Sequence, residues 1–231
     1  MAKRLSWIRF AKYNLFRFLP GRIGLHYQRQ FRRTKWRKTE TEFNAALEAS
    51  RGKSAIDLGA NIGEFTCRLA EVANKVYSFE PDPWAFQQLR ERTKHLNNVI
   101  LFQAAVGSGS GRVFLYQHPK YLENRMLSSV SSIVHDSRVV RDQSEVVEVD
   151  KIDFLSFLSE NDENFGLLKI DVEGAEVEIL EALLASDQLQ RFDNIFCETH
   201  EPELPHILAR FKALRARAAS LQHPRINLDW H

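Results

Sequence analysis

At 231 residues with 44% hydrophobic side chains, the chain can bury one sizeable core, and it has no apolar stretch near the roughly 20 residues that span a bilayer. Its two cysteines, Cys67 and Cys197, are unclustered, which argues against a disulfide framework or a cysteine metal site and favours reduced core residues in a cytoplasmic setting. The net charge of +2 hides an asymmetry: residues 1–39 hold 12 of the 32 Lys and Arg and no acid, leaving 20 bases against 30 acids in the rest.

The chain therefore reads as a basic arm, residues 1–39, followed by one domain, residues 40–231. In the arm, Trp7, Phe10, Tyr13, Phe16 and Phe18 interleave with bases, and Arg9, Lys12 and Arg17 interrupt any signal-peptide apolar region. Such a segment suits an anionic membrane surface, reached through residues 1–38 at the inner face of a membrane. It equally suits packing on the acidic body, and it suits nucleic acid less well. The domain opens with a helix over 39–49, with Thr41 as candidate cap.

Residues 55–58 form an apolar run that meets the turn Gly59-Ala60-Asn61-Ile62-Gly63, and helical periodicity follows over 64–73. A second apolar run, 75–79, ends at Glu80, where Pro81 blocks extension. This strand-helix-strand unit opens the carboxyl ends of two parallel strands on one crevice. Gly59 and Gly63 let backbone approach a ligand, the helix start turns free N–H groups toward it, and Glu80 is placed for two ribose hydroxyls. The turn is GxxxG rather than the GxGxxG of dinucleotide sites, and Asp57 just before it would repel a pyrophosphate but suit a cation. S-adenosylmethionine, with its adenosine, sulfonium and ammonium groups, meets both acids.

Next come a helix over 84–96, with Trp84, Phe86 and Leu89 toward the sheet, and a third strand over 99–106, where Gln103 and Ala104 are candidates for the adenine edge. A strand over 111–116 precedes a polar stretch, 118–141, rich in serine and long enough to cover a pocket or touch substrate. A strand over 144–149 and a helix over 152–158 lead to the run 166–171 (GLLKID), which ends in Asp171. Val172-Glu173-Gly174 then turns into a helix over 175–185, repeating the order of strand, acid, glycine and helix. A fifth core strand, 194–199, runs into His200. A helix over 205–218 and a last strand over 225–230 complete an α/β, doubly wound, mostly parallel architecture with helices on both faces.

Residues 57–63 (DLGANIG), 79–82 (FEPD), 104–107 (AAVG) and 169–176 (KIDVEGAE) together resemble the FkbM family of S-adenosylmethionine-dependent methyltransferases, over roughly residues 40–231. The resemblance implies a class I methyltransferase fold, with a seven-stranded sheet and a reversed final strand. It also implies methyl transfer to a hydroxyl of a sugar in a glycan, glycolipid or related metabolite. Carried onto this chain, the cofactor residues are Asp57, Gly59, Ala60, Asn61, Gly63, Glu80, Pro81, Gln103, Ala104 and Ala105. Asp171 and Glu173 fall on the reaction side, and Asp171 is a candidate to hold the cofactor as well.

Catalytic candidates lie at strand ends: Asp171, Glu173, Glu198 and His200. His200 is the first choice as base, because an unperturbed imidazole titrates near neutral pH. These four also offer donors suited to a divalent ion, although no spacing demands a metal. Base-methylating motifs (Asn/Asp-Pro-Pro-aromatic, or a Pro-Cys nucleophile) are absent from the sequence. A silent S-adenosylmethionine-binding scaffold has no need of acids at three strand ends, and a nicotinamide enzyme is the remaining competitor.

Overall fold

The structure, a computed structural model, describes residues 37–134, 145–201 and 205–230, with the isolated positions 12, 13, 15, 16 and 27. Most of the basic arm, the end of the polar stretch at 135–141 and Ser144 at the head of the next strand lie outside the described residues. No helix among the described residues is long and apolar enough to cross a membrane. The chain divides into two compact units, Met1–Ala45 with Trp230–His231, and Ala46–Asp229. In the first unit Phe43 is buried and its ring stacks on Trp230 at 5.4 Å. Residues 37–49 are helical. Thr41 is no cap, since its hydroxyl donates to the carbonyl of Arg37 one turn back.

The strands are β1 (Ser54–Leu58), β2 (Val76–Phe79), β3 (Val99–Phe102), β4 (Ala105–Gly107), β5 (Gly111–Gln117), β6 (Glu145–Asp153), β7 (Phe165–Ile170), β8 (Phe192–Glu198) and β9 (Arg225–Trp230). Helices α1 (Glu64–Ala70), α2 (Pro83–Thr93), α3 (Phe154–Glu160), α4 (Glu176–Ala185) and α5 (Leu208–Ser220) connect them. The main sheet has the order β3-β2-β1-β7-β8-β9, and its β1–β2, β1–β7, β2–β3 and β7–β8 pairs are parallel. β1, β2 and β7 are buried along their whole length, as strands covered on both faces must be.

The α/β doubly wound expectation holds, but the strand count does not. Among the described residues the main sheet has six strands rather than seven, and a separate sheet of three is ordered β4-β6-β5. The expected third strand, 99–106, is in fact two. It breaks after Phe102 at the exposed Gln103, and Ala105–Gly107 pairs in parallel with Lys151–Asp153 of β6 instead. In α2 the buried face is Ala85, Leu89 and Thr93, with Trp84 and Phe86 half-buried at its border. The polar stretch carries a 3-10 helix, Arg125–Val130, and a bridge from Ser132 to Tyr116.

Strand order turns back at β1, with β2 on one side and β7 on the other. Beneath this point the core is aromatic: Phe79 stacks on Phe102 at 4.5 Å, and Phe157 meets both edge-on. A rigid floor of this kind holds the carboxyl ends of β1, β2 and β7 in register, with Leu58 opposite both Phe79 and Ile170. Open α/β sheets bind ligands outside the strand ends at such a switch point.

Candidate active site

A pocket with about 570 Å³ of space outside the atoms, part of it open to solvent, lies over these strand ends. Its lining includes Gly59, Asn61, Glu80 and Pro81 from the β1 and β2 ends, Ala104 and Ala105 from the β3–β4 break, and Asp171 and Glu173 from the β7 end. All eight are residues that the sequence singled out.

Gly59 is required by a close approach. Its φ is +75°, and a Cβ there would stand 1.7 Å from the Asp171 carbonyl oxygen, so only glycine lets the β1 turn lie against the β7 turn. Asn61 and Glu173, both in the pocket lining, hold left-handed φ values of 47° and 54°, a conformation non-glycine residues seldom adopt. Glu80 is buried. Its Oε2 accepts from the Asn61 N–H at 2.7 Å and its Oε1 from the Asp82 N–H at 2.8 Å, which leaves each oxygen a further acceptor site. Burial pushes this carboxyl up to about 8, against the pull of those two N–H groups.

Asp57 stands elsewhere. It is fully buried beneath the turn and outside the pocket lining, so the cation that the sequence reading sought for it is internal: Lys169 Nζ lies 3.2 Å from its Oδ1. Thr66 donates to its other oxygen at 2.7 Å. Lys169 also donates to the Gly59 carbonyl at 2.6 Å and lies 3.6 Å from Asp171 Oδ2, tying the two turns together. Burial alone would lower the lysine's pKa, but Asp57 and Asp171 raise it, so it stays charged. The sequence reading missed Lys169 as a participant, although a lysine inside the apolar run GLLKID was its signal.

Gly63, Ala60 and Gln103 also fall outside the pocket lining. A Cβ at Gly63 would meet Leu89 Cδ1 at 2.7 Å, so this glycine serves helix packing. α1 has only seven residues, and the N–H that reaches the pocket's acid is that of Asn61, in the turn before it. Gln103 is exposed and borders a surface depression with Arg112 and Glu148.

His200, expected as the general base, stands with both ring nitrogens facing carboxylates. Its Nδ1 lies 2.7 Å from Glu176 Oε1, and its Nε2 lies 3.2 Å from Glu173 Oε2 and 3.9 Å from Asp171 Oδ1. Burial would lower its pKa, but hydrogen bonds to Glu173 and Glu176 raise it to about 11, so these carboxylates favour the protonated ring where no other cation takes its place. Glu176 is fully buried and anchored by the Gly174 N–H, which donates to both its oxygens. Burial raises Glu173, and burial with the Asp171 charge pushes Glu198 up to about 7. Glu198 is half-buried and outside the pocket lining.

Three more residues contribute: Asp82, from outside the expected set, and two serines of the polar stretch expected to cover a pocket. Asp82 caps α2 and also accepts from Gln117 Nε2 at 2.6 Å and the Tyr121 hydroxyl at 2.8 Å, fastening the polar stretch to the β2 end. Ser128 and Ser131 line the pocket from that stretch. Ser128 Oγ lies 3.3 Å from Asn61 Oδ1, and Ser131 Oγ is buried with no hydrogen-bond partner among the described residues.

The chain matches the methyltransferase FkbM domain over residues 57–218. It is 29% identical over 158 residues to "Methyltransferase 1" of Beauveria bassiana, covering 62% of this chain and 63% of that one. It is 27% identical over 145 residues to the hexuronic acid methyltransferase AglP of Haloferax volcanii, covering 62% of this chain and 54% of that one. The matched stretches thus span less than two thirds of these relatives. Among solved structures it is similar to the methyltransferase FkbM of Methylobacillus flagellatus, with TM-score 0.38 and 18% identity over 58% of this chain and 29% of that one. The motifs at the β1, β2 and β7 ends and the domain match over most of the chain agree: this protein belongs to the FkbM methyltransferase family.

Proposed function

We propose that this chain transfers the methyl group of S-adenosylmethionine to a hydroxyl oxygen of a sugar in a glycan, glycolipid or related metabolite. The observation that carries the reading is the pocket's division. A buried carboxylate with spare acceptor sites, Glu80, stands at the β2 end, and two acids, Asp171 and Glu173, stand at the β7 end, with a glycine turn between them. The first suits ribose hydroxyls, and Ala104 and Ala105 leave a flat base room beside them. Ser131, buried and unpartnered among the described residues, supports a polar ligand there. The kinship with a hexuronic acid methyltransferase favours a sugar acceptor.

In the reaction the hydroxyl oxygen attacks the methyl carbon in line with the sulfonium. The C–S bond breaks as the C–O bond forms, and the hydroxyl proton is drawn off at the acidic wall of Asp171 and Glu173. Alignment supplies several kcal/mol of the acceleration, and removal of the proton contributes roughly 10²- to 10⁴-fold. Residues 40–231 form the catalytic domain in this reading. The basic residues 1–39 adjoin it as an arm for an anionic membrane surface.

The test is to incubate the full chain with methyl-labelled S-adenosylmethionine and a panel of hexuronic acids and hexuronic-acid glycans, following methyl ethers by mass spectrometry. A labelled ether on a sugar hydroxyl is expected. S-adenosylmethionine binding without label on any acceptor hydroxyl would contradict the reading.

A further inference from the structure

The acids at the β7 end are arranged around the imidazole in a way that proton transfer does not require. One ligand atom each of Asp171, Glu173 and His200 lies within 4.8 Å of the other two, from three positions on two strand ends. Two donors bound to one divalent ion at about 2.1 Å each stand about 3 Å apart when adjacent, and the Nε2–Oε2 separation is 3.2 Å.

The ring's other nitrogen is already committed. Nδ1 meets Glu176 at 2.7 Å, and Glu176 is itself fixed by the Gly174 N–H. A carboxylate holding Nδ1 is what fixes a metal-binding histidine's tautomer and turns its Nε2 toward the ion. Charge points the same way. Asp171, Glu173, Glu176 and Glu198 crowd one imidazole, and the nearest lysine, Lys169, is shared with buried Asp57. The pocket that Asp171 and Glu173 line also holds the buried Ser131 hydroxyl, which has no hydrogen-bond partner among the described residues and could meet an oxygen ligand.

We infer that Asp171, Glu173 and His200 bind a divalent cation of the Mg²⁺ or Mn²⁺ class at the acidic end of the pocket. Two carboxylates and one imidazole suit such an ion and leave coordination positions open to oxygen ligands. On the sugar-methylation reading, which the ion's function but not its binding rests on, an acceptor hydroxyl occupies one of these positions and the ion lowers its pKa. Glu176 acts as a positioning residue through His200.

The experiment needs no cofactor or acceptor. The full chain is stripped with EDTA, desalted and titrated with Mn²⁺, the free ion being read by electron paramagnetic resonance. The expected result is one saturable site per chain. His200→Ala and the near-isosteric Glu173→Gln should abolish it, and Glu176→Gln should weaken it about 10- to 100-fold. Glu148→Gln, on the outer strand pair, should keep wild-type affinity. A chain that is folded by circular dichroism yet binds no Mn²⁺ at millimolar concentration overturns the inference. So does a site that survives in both His200→Ala and Glu173→Gln, or one lost equally in Glu148→Gln. Because binding is read without methyl transfer, a negative result here leaves the sugar-methylation reading standing, and a failed transfer assay leaves the ion site standing.

Discussion

The turns after β1 and β7 share one pattern, an apolar strand ending in an acid, a glycine and a helix, and put it to opposite uses. After β1 the acid is consumed inside the protein: Asp57 is fully buried, paired with Lys169 and bonded by Thr66. That turn offers the ligand backbone and Asn61. After β7 the acids face outward, with Asp171 and Glu173 in the pocket lining around His200. The difference arises because the lysine that neutralises the first turn grows from the strand of the second. One buried cation both quiets Asp57 and ties Gly59 to Asp171. Adjacent strands with the same local pattern thus acquire different chemistry from a single cross-strand partner.

The harshest way to break this contrast is Lys169→Met, which leaves Asp57 charged and alone in the core. Removing one partner of a buried pair costs about 3–5 kcal/mol, read as a lowered denaturation midpoint. Adding Asp57→Asn should restore much of it, and no recovery would show that the pair does not act as a unit. Gly59→Ala comes next. Strain at a left-handed φ costs about 1–3 kcal/mol, and the clash with the Asp171 carbonyl puts the loss at the upper end. The same denaturation curves check it. Thr66→Val, which removes only the hydroxyl bonded to Asp57, should cost about 1.5 kcal/mol, the low end for a hydrogen bond to a charged group. An effect as large as that of Lys169→Met would shift the weight from the lysine to the threonine.

Local pattern made much of this legible. An apolar run closed by acid and glycine marks a strand end wherever it falls, so Gly59, Asn61, Glu80, Asp171 and Glu173 were found from sequence, and all five line the pocket. Partnerships across strands were not legible. Nothing near Asp57 in the chain says that Lys169, 112 positions on, will be its neighbour. The carboxylates around His200 were equally out of sight, because they come from the β7 turn and the start of α4. The run 99–106 read as one strand because it is continuously apolar on both sides of Gln103, while the sheet that captures Ala105–Gly107 is set by the distant β6. Asp82 was not read as a cap, although Pro83 after it was the signal, and its hold on Gln117 and Tyr121 depends on where the polar stretch returns.

Glu80 gives the most direct test of the central claim, that S-adenosylmethionine lies over the β1 and β2 ends with its ribose on this carboxylate. In the ligand-free chain its pKa is raised from 4.5 to about 8, so the folded state holds a proton between those values that the unfolded state has lost. Stability attributable to this group therefore falls as pH rises from about 4.5 to 8, and the fall should vanish in Glu80→Gln. Hydroxyl donors favour the ionised form, so affinity should rise over the same approach to pH 8. Calorimetric titration of the full chain with S-adenosylmethionine should show one site that tightens with pH. Glu80→Ala should weaken it by about 1–3 kcal/mol and flatten the pH profile. Equal affinity in the two proteins with the same pH profile, or no binding by the wild type, would contradict the account.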